Sequence, residues 1–188
     1  MLTRSQSALF MRNVFRKPLM LGAIVPSSRF LVNDLLAQIN WEQARLVVEY
    51  GPGVGTITRE VLRRMRPDAV LVAIELNDEF ASFLEQDIRD PRLRVVHGSA
   101  MTVRQVLEDR NLTGVDYVIS GIPFSSMPKA MRYQLAQQTR EVLGSTGRFL
   151  VYQYTRTVLP CLKSSFSSVQ QNFQLLNIPP SHMFFCMP

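Results

Sequence analysis

Apolar positions along this chain follow two rhythms, and the change between them comes near residue 45. Ahead of it the period is helical. In residues 7–17, Phe10, Met11, Val14 and Phe15 form one face and Arg12, Asn13, Arg16 and Lys17 the other, until Pro18 stops the run. Residues 29–40 repeat the pattern with Phe30, Leu31, Leu35, Leu36 and Ile39. Beyond residue 45, short apolar runs alternate with amphipathic stretches. The runs predict strands near residues 45–50, 70–75, 93–97, 115–120 and 147–154, and the stretches predict helices near 56–66, 78–88, 102–109 and 128–143. Continuous runs of this kind suit a parallel sheet buried on both faces. Thr56 is placed to cap the first of these helices and Asn77 or Asp78 the second, while Gly144 and Gly147 mark the turn into the fifth strand.

The tail changes character. Residues 158–169 predict one more helix. Apolar runs at residues 173–178 and 183–186 then flank Pro179-Pro180, which reads as two adjacent antiparallel strands. The sum is an α/β sandwich: a mostly parallel, seven-stranded sheet with an antiparallel end and helices on both faces. No repeat, linker or low-complexity stretch divides it. Residues 41–188 read as a single domain, and residues 1–40 as a basic amphipathic helical segment joined to it.

Charge sharpens the view of that segment. Of a net charge of +6, five positive charges (Arg4, Arg12, Arg16, Lys17 and Arg29) lie in the first 33 residues, where there is no acid. A basic arm suits phosphate, on RNA or on anionic lipid. With its apolar face, residues 7–17 read as an interfacial membrane anchor; the plainer alternative is a helix packed on the domain with a solvated basic side. The early apolar run, residues 19–25, is far short of the roughly 20 residues of a membrane span. Pro26-Ser27-Ser28-Arg29 follows it without a signal-peptide cleavage site. The two cysteines, Cys161 and Cys186, read as reduced thiols of a cytosolic protein, although the spacing leaves a bridge open. With only His97 and His182 besides, no metal site is expected.

Candidate chemistry sits after the first two long strands. Glu49-Tyr50-Gly51-Pro52-Gly53-Val54-Gly55 is a glycine turn between a strand and a helix, and Glu75 ends the next strand. Glycines let backbone approach a ligand, and an acid at a strand tip can accept both hydroxyls of a ribose. A dinucleotide turn wants G-x-G-x-x-G to seat a pyrophosphate on a helix start. Here the spacing is G-x-G-x-G with Glu49 beside it. That carboxylate would repel a pyrophosphate and attract an amino-acid ammonium. S-adenosylmethionine carries such an ammonium and no phosphate.

With these residues the chain resembles the class I S-adenosylmethionine-dependent methyltransferases, over essentially all of residues 45–187. The resemblance implies a Rossmann-like sheet and S-adenosyl-L-methionine as cofactor. By position it assigns Glu49, Gly51, Gly53 and Gly55 to the methionine end, Glu75 with Leu76 to the ribose, and Ser99 and Ala100 to the adenine. Serine stands at position 99 where the family often has an acid. Strand four ends Ser120-Gly121-Ile122-Pro123-Phe124. Amino-group methyltransferases commonly carry Asn, Asp or Ser, then x-Pro-Tyr/Phe, at this place to hold the target nitrogen, with the aromatic packed on the acceptor. Gly121 stands at the polar position. The variant is similar to bacterial phospholipid N-methyltransferases, as are residues 21–30 and 177–181. That likeness implies an aminolipid acceptor of the phosphatidylethanolamine kind, at the cytoplasmic face of an anionic membrane. It also implies that Ser27 and Ser28 reach the cofactor carboxylate. Ser120, Gly121, Phe124, Tyr152 and Tyr154 are the acceptor-side candidates; amine deprotonation would be assisted by the tyrosines or by water held by Ser120 and the Gly121 carbonyl.

Two other functions stay open at this level. One is an rRNA or small-molecule amine N-methyltransferase: the rRNA adenine dimethylases share Glu-x-Gly-Pro-Gly, but they usually carry a further helical domain, and here the resemblance stops with the sheet. A non-catalytic lipid- or RNA-binding module of the same fold is the third; the intact loop and Glu75 speak against it.

Overall fold

The apolar runs are strands of one seven-stranded sheet in a computed structural model that describes residues 27–188. The amphipathic run at 7–17 and residues 21–26 lie outside the described residues. Chain order is α1 (Arg29–Leu36), β1 (Leu46–Tyr50), α2 (Thr56–Arg64), β2 (Val70–Glu75), α3 (Asp78–Asp87), β3 (Leu93–His97), α4 (Val103–Glu108) and β4 (Val115–Ser120). There follow α5 (Lys129–Val142), β5 (Leu143–Gln153), α6 (Leu159–Ser165), β6 (Ser168–Gln174) and β7 (Ser181–Met187). Spatial order is β3-β2-β1-β4-β5-β7-β6, parallel from β3 to β5, with β7 antiparallel to β5 and to β6.

Two apolar clusters lie on the two faces of the sheet, because β1, β2, β4 and β5 are apolar on both sides. On one face α4, α5 and α6 cover Val48, Val72, Val118 and Phe149. On the other α1 and α2 cover Val47, Leu71, Ile119 and Leu150. Residues 29–39, which the helical rhythm grouped with the basic segment, supply Leu31, Val32, Leu35, Leu36 and Ile39 to this second cluster. Ser28 caps α1, its hydroxyl accepting from Leu31 N–H at 3.2 Å.

Three local expectations change. Gly144 and Gly147, expected in a turn before the fifth strand, lie inside β5, which starts at Leu143 directly after α5. The residue that starts α2 is Gly55, left-handed at φ 78°, and Thr56 is the first helical residue. Its neighbours explain why: a Cβ at Gly55 would meet Leu84 Cδ2 at 2.7 Å, so the turn closes tightly against α3. In the tail, α6 ends at Ser165, and residues 168–174, expected to be partly helix, form strand β6. β6 is an edge strand, so its polar residues face water and the apolar signal is missing. The apolar run 173–178 is mostly the turn after it. Asn177 organises that turn: its side-chain NH₂ donates to Pro179 O (2.8 Å) and Ser181 Oγ (3.0 Å), and its Oδ1 accepts Ser28 N–H at 2.8 Å.

Candidate active site

The sheet order reverses between β1 and β4, the place where doubly wound sheets hold ligands. Three strands there end on glycines, and each extends the ladder by one bond. Gly51 N–H donates to Ile74 O (2.9 Å), Gly98 N–H to Glu75 O (2.8 Å) and Gly121 N–H to Tyr50 O (3.1 Å). The loops after β1, β3 and β4 therefore leave the sheet at one level and enclose a cavity of ≈ 230 Å³.

Six of the residues predicted on the cofactor side line that cavity: Gly51, Gly53, Glu75, Leu76, Ser99 and Ala100. Gly51 and Gly53 both have positive φ, at 69° and 57°. Among the described residues nothing beyond its chain neighbours lies within 4 Å of where a Gly53 Cβ would project, so the loop is open on that side. The Glu75 carboxylate is fixed from both ends: Oε2 accepts Gly53 N–H and Oε1 accepts Asn77 N–H, each at 2.9 Å. Burial pushes Glu75 above the ordinary range, against these bonds to backbone amides. Each oxygen keeps lone pairs for the two hydroxyls of a ribose. Ser99 Oγ accepts Met101 N–H at 3.2 Å, which fixes the side chain and leaves its hydroxyl proton to donate.

Glu49 lies just outside the cavity walls, buried, with Oε2 accepting the Thr58 hydroxyl at 2.8 Å. Burial, aided by the nearby Glu75 charge, pushes it up to about 7. A carboxylate this deep with no cation paired to it among the described residues fits a ligand that brings an ammonium.

The acceptor-side residues divide. Gly121 and Pro123 line the large cavity and also a second, smaller one of ≈ 40 Å³, completed by Ser125, Tyr152, Gln153 and Tyr154. A cofactor on one side and an acceptor on the other would meet at Gly121. The space for a side chain at 121 is taken: a Cβ there would lie 2.2 Å from Tyr152 Oη. Tyr152 hydrogen-bonds Ser27, and burial raises its phenol far above the ordinary range, with the nearby Glu49 charge adding to this. Burial raises Tyr154 as well. Both tyrosines are therefore neutral phenols at pH 7, able to donate and accept hydrogen bonds but not to take a proton as phenolates.

Six predicted residues line neither cavity: Glu49 and Ser27, already placed, and Phe124, Ser120, Gly55 and Ser28. Phe124 is fully buried in the core, turned inward by the 3-10 turn Phe124–Ser126, instead of packing on an acceptor. Ser120 is fully buried, and its Oγ has no hydrogen-bond partner. Gly55 packs α2 against α3. Ser28 is committed to its cap and to Asn177. Conversely, the apolar wall of Ile74, Phe80, Ile122, Met127 and Met131 was not read from sequence, since such residues look like core until the loops fold over. Gln153 was also missed. Its amide donates to Ile122 O (2.7 Å) and Tyr152 O (2.8 Å), tying the Gly121 loop to the end of β5. Among the described residues, no group of three or more His, Cys, Asp or Glu could hold a metal, and no helix is long and apolar enough to cross a membrane.

The sheet order, the glycine turn and the two acids define a class I S-adenosylmethionine-dependent methyltransferase. The chain belongs to the ribosomal RNA adenine dimethylase family, whose model matches residues 25–143. It is 30% identical over 184 residues, 95% of this chain and 94% of the relative, to an ornithine lipid N-methyltransferase of Singulisphaera acidiphila. It is 39% identical over 59 residues to ribosomal RNA small subunit methyltransferase A of Clostridium perfringens, a match covering 31% of this chain and 20% of that one. The human methyltransferase-like protein 13, solved in complex with SAH, shares the fold at a TM-score of 0.64 and 16% identity, over 84% of this chain and 79% of that one. S-adenosylmethionine is the cofactor, and the chain is a methyltransferase.

Proposed function

We propose that this enzyme methylates the amine of a membrane aminolipid head group, working peripherally at the cytoplasmic face of an anionic bilayer. The observation that carries this reading is the small cavity beyond Gly121. At ≈ 40 Å³ it has room for only a few waters, each needing about 10–15 Å³ of such space. A primary amine on a narrow alkyl stem fits, and a flipped purine does not. With glycine at 121 and Tyr152 filling the side-chain space, no amide is present at that position to read a base edge. Similarity to an ornithine lipid N-methyltransferase along almost the whole chain supports the same class of acceptor.

When bound, S-adenosylmethionine supplies a methyl group already activated on a sulfonium. The chain's own part is placement. Glu49 receives the ammonium, Glu75 the ribose, and the Gly51–Gly53 turn lets the ligand lie against backbone. Ile122 O and Pro123 O are engaged by Gln153 and Ser126, which makes the wall between the cavities rigid. Tyr152 and Tyr154, as neutral phenols, orient the amine lone pair by hydrogen bonding. The proton lost by the lipid ammonium leaves to water, because neither phenol is a base.

The test is transfer of label from S-adenosylmethionine to vesicles containing phosphatidylethanolamine, to vesicles containing ornithine lipid, and to rRNA. Label in lipid alone is expected, and which vesicle accepts it names the head group. Label in rRNA alone overturns the reading in favour of the RNA-modifying branch of the family. Cofactor binding with no label in any would point to a different amine.

A further inference from the structure

Five large apolar side chains crowd one end of the sheet and face water. Phe173 is 46% exposed, Leu175 69%, Leu176 60%, Ile178 84% and Phe30 39%. The first four belong to the end of β6 and the turn into β7. Phe30 joins them because it stands one helical turn before Asp34, which accepts a hydrogen bond from Gln174. Soluble surfaces seldom gather side chains of this kind without a partner. This turn is also built: Asn177, almost fully buried, ties it to Pro179, Ser181 and Ser28, and Phe173 packs on His182 with ring centroids 4.6 Å apart.

Position adds the meaning. β7 runs antiparallel to β5, and His182 pairs with Gln153. The turn before β7 therefore lies on the same edge as the acceptor cavity, whose walls include Tyr152, Gln153 and Tyr154. At about 4.8 Å per strand it stands roughly 10 Å from β5. Cations flank it. Arg29 lies 4.8 Å over the Phe30 ring, and the charge of Arg156 adds to the burial that disfavours protonation of His182. The hydrogen bond from Ser28 N–H to Asn177 Oδ1 also brings Ser28, and with it the start of α1 and Arg29, to the foot of this turn. Apolar tips ringed by cations match an anionic bilayer, whereas RNA would not favour the apolar tips.

We propose that Phe30, Phe173, Leu175, Leu176 and Ile178 form a bilayer-docking edge that seats the acceptor cavity at the head-group layer. The proposal rests on the aminolipid reading for its purpose, but not for its test. In the full chain, Leu175, Leu176 and Ile178 are replaced together by Ser. Sedimentation with phosphatidylglycerol/phosphatidylethanolamine vesicles is expected to show at least a tenfold loss of partitioning, with unchanged thermal midpoint and cofactor affinity. Unchanged partitioning overturns the proposal. So does a midpoint lowered by several degrees, which would mean that residues 1–26 of this chain cover the turn. An Ile178→Trp variant gives an independent reading. Its emission should shift to the blue and be quenched by brominated lipid, with the wild type, whose one tryptophan is Trp41, as the control. If quenching occurs but only rRNA is methylated, the acceptor reading fails and the docking edge stands. If lipid is methylated and no quenching occurs, the docking edge alone is wrong.

Discussion

On the proposed reading, Glu49 joins stability to ligand binding in one side chain. Its carboxyl is raised from an ordinary 4.5 to about 7 because it is buried beside Glu75 with only Thr58 to offset the burial. An ammonium prefers the ionised form. Cofactor binding should therefore release protons near pH 6 and weaken as pH falls below 7, approaching tenfold per unit; titration calorimetry in buffers of different ionisation enthalpy measures both. The same shift acts on folding with the opposite sense. A raised folded-state pKa stabilises in full below about 4.5, and that stability is lost as pH rises through about 7. Glu49→Gln should thus raise the stability of the cofactor-free protein at pH 8 relative to wild type, by up to about 3 kcal/mol, while largely abolishing cofactor binding. Thermal melts with and without cofactor at pH 5 and pH 8 separate the two effects. Gly121 offers a second residue-scale test. Gly121→Ala overpacks the site and should cost about 1–3 kcal/mol. The three atoms nearest its Cβ, Oη, Cζ and Cε1, all belong to Tyr152, so in a Tyr152→Ala background the cost should shrink. Additive losses in a double-mutant cycle would refute that coupling.

Among the elements, the turn from β1 into α2 divides its labour between glycines that look alike in sequence. Gly53 faces open space at φ 57°, and Gly55 abuts Leu84 and Ile88 at φ 78°. Gly53→Ala should cost stability only its backbone strain, about 1 kcal/mol, while cofactor affinity falls at least tenfold. Gly55→Ala adds a core clash to the same strain and should destabilise by more, about 2–4 kcal/mol. Equal effects of the two on melting temperature would disprove the division. The glycine spacing was legible in the chain, but the division was not, because it depends on α3 arriving from thirty residues away. The same limit explains the tail. β6 hides as an edge strand of polar residues, and the apolar run at 173–178 shows most of its side chains to water. A periodicity argument assumes that apolar means buried, and this turn breaks the assumption.

For the molecule as a whole, the uneven charge carries a prediction of its own. If the basic segment and the Arg29/Arg156 edge meet anionic lipid, raising salt from about 0.05 to 0.5 M should reduce partitioning onto anionic vesicles at least tenfold. Neutral vesicles, bound through the apolar turn alone, should show little change. Flotation assays at several ionic strengths decide it, and salt-independent binding to anionic vesicles would contradict an electrostatic contribution. Sequence by itself determined the alternation of strand and helix, the cofactor class and the glycine and acid positions of the cavity wall. These depend on local spacing: a strand, a glycine turn and an acid at a fixed distance read the same before and after folding. Only the tertiary structure decided what lies beyond Gly121, since Tyr152 fills that space from another strand. It alone also brought Phe30 to the turn at residue 175, on the edge where the site opens, because contacts between distant segments leave no period in the chain.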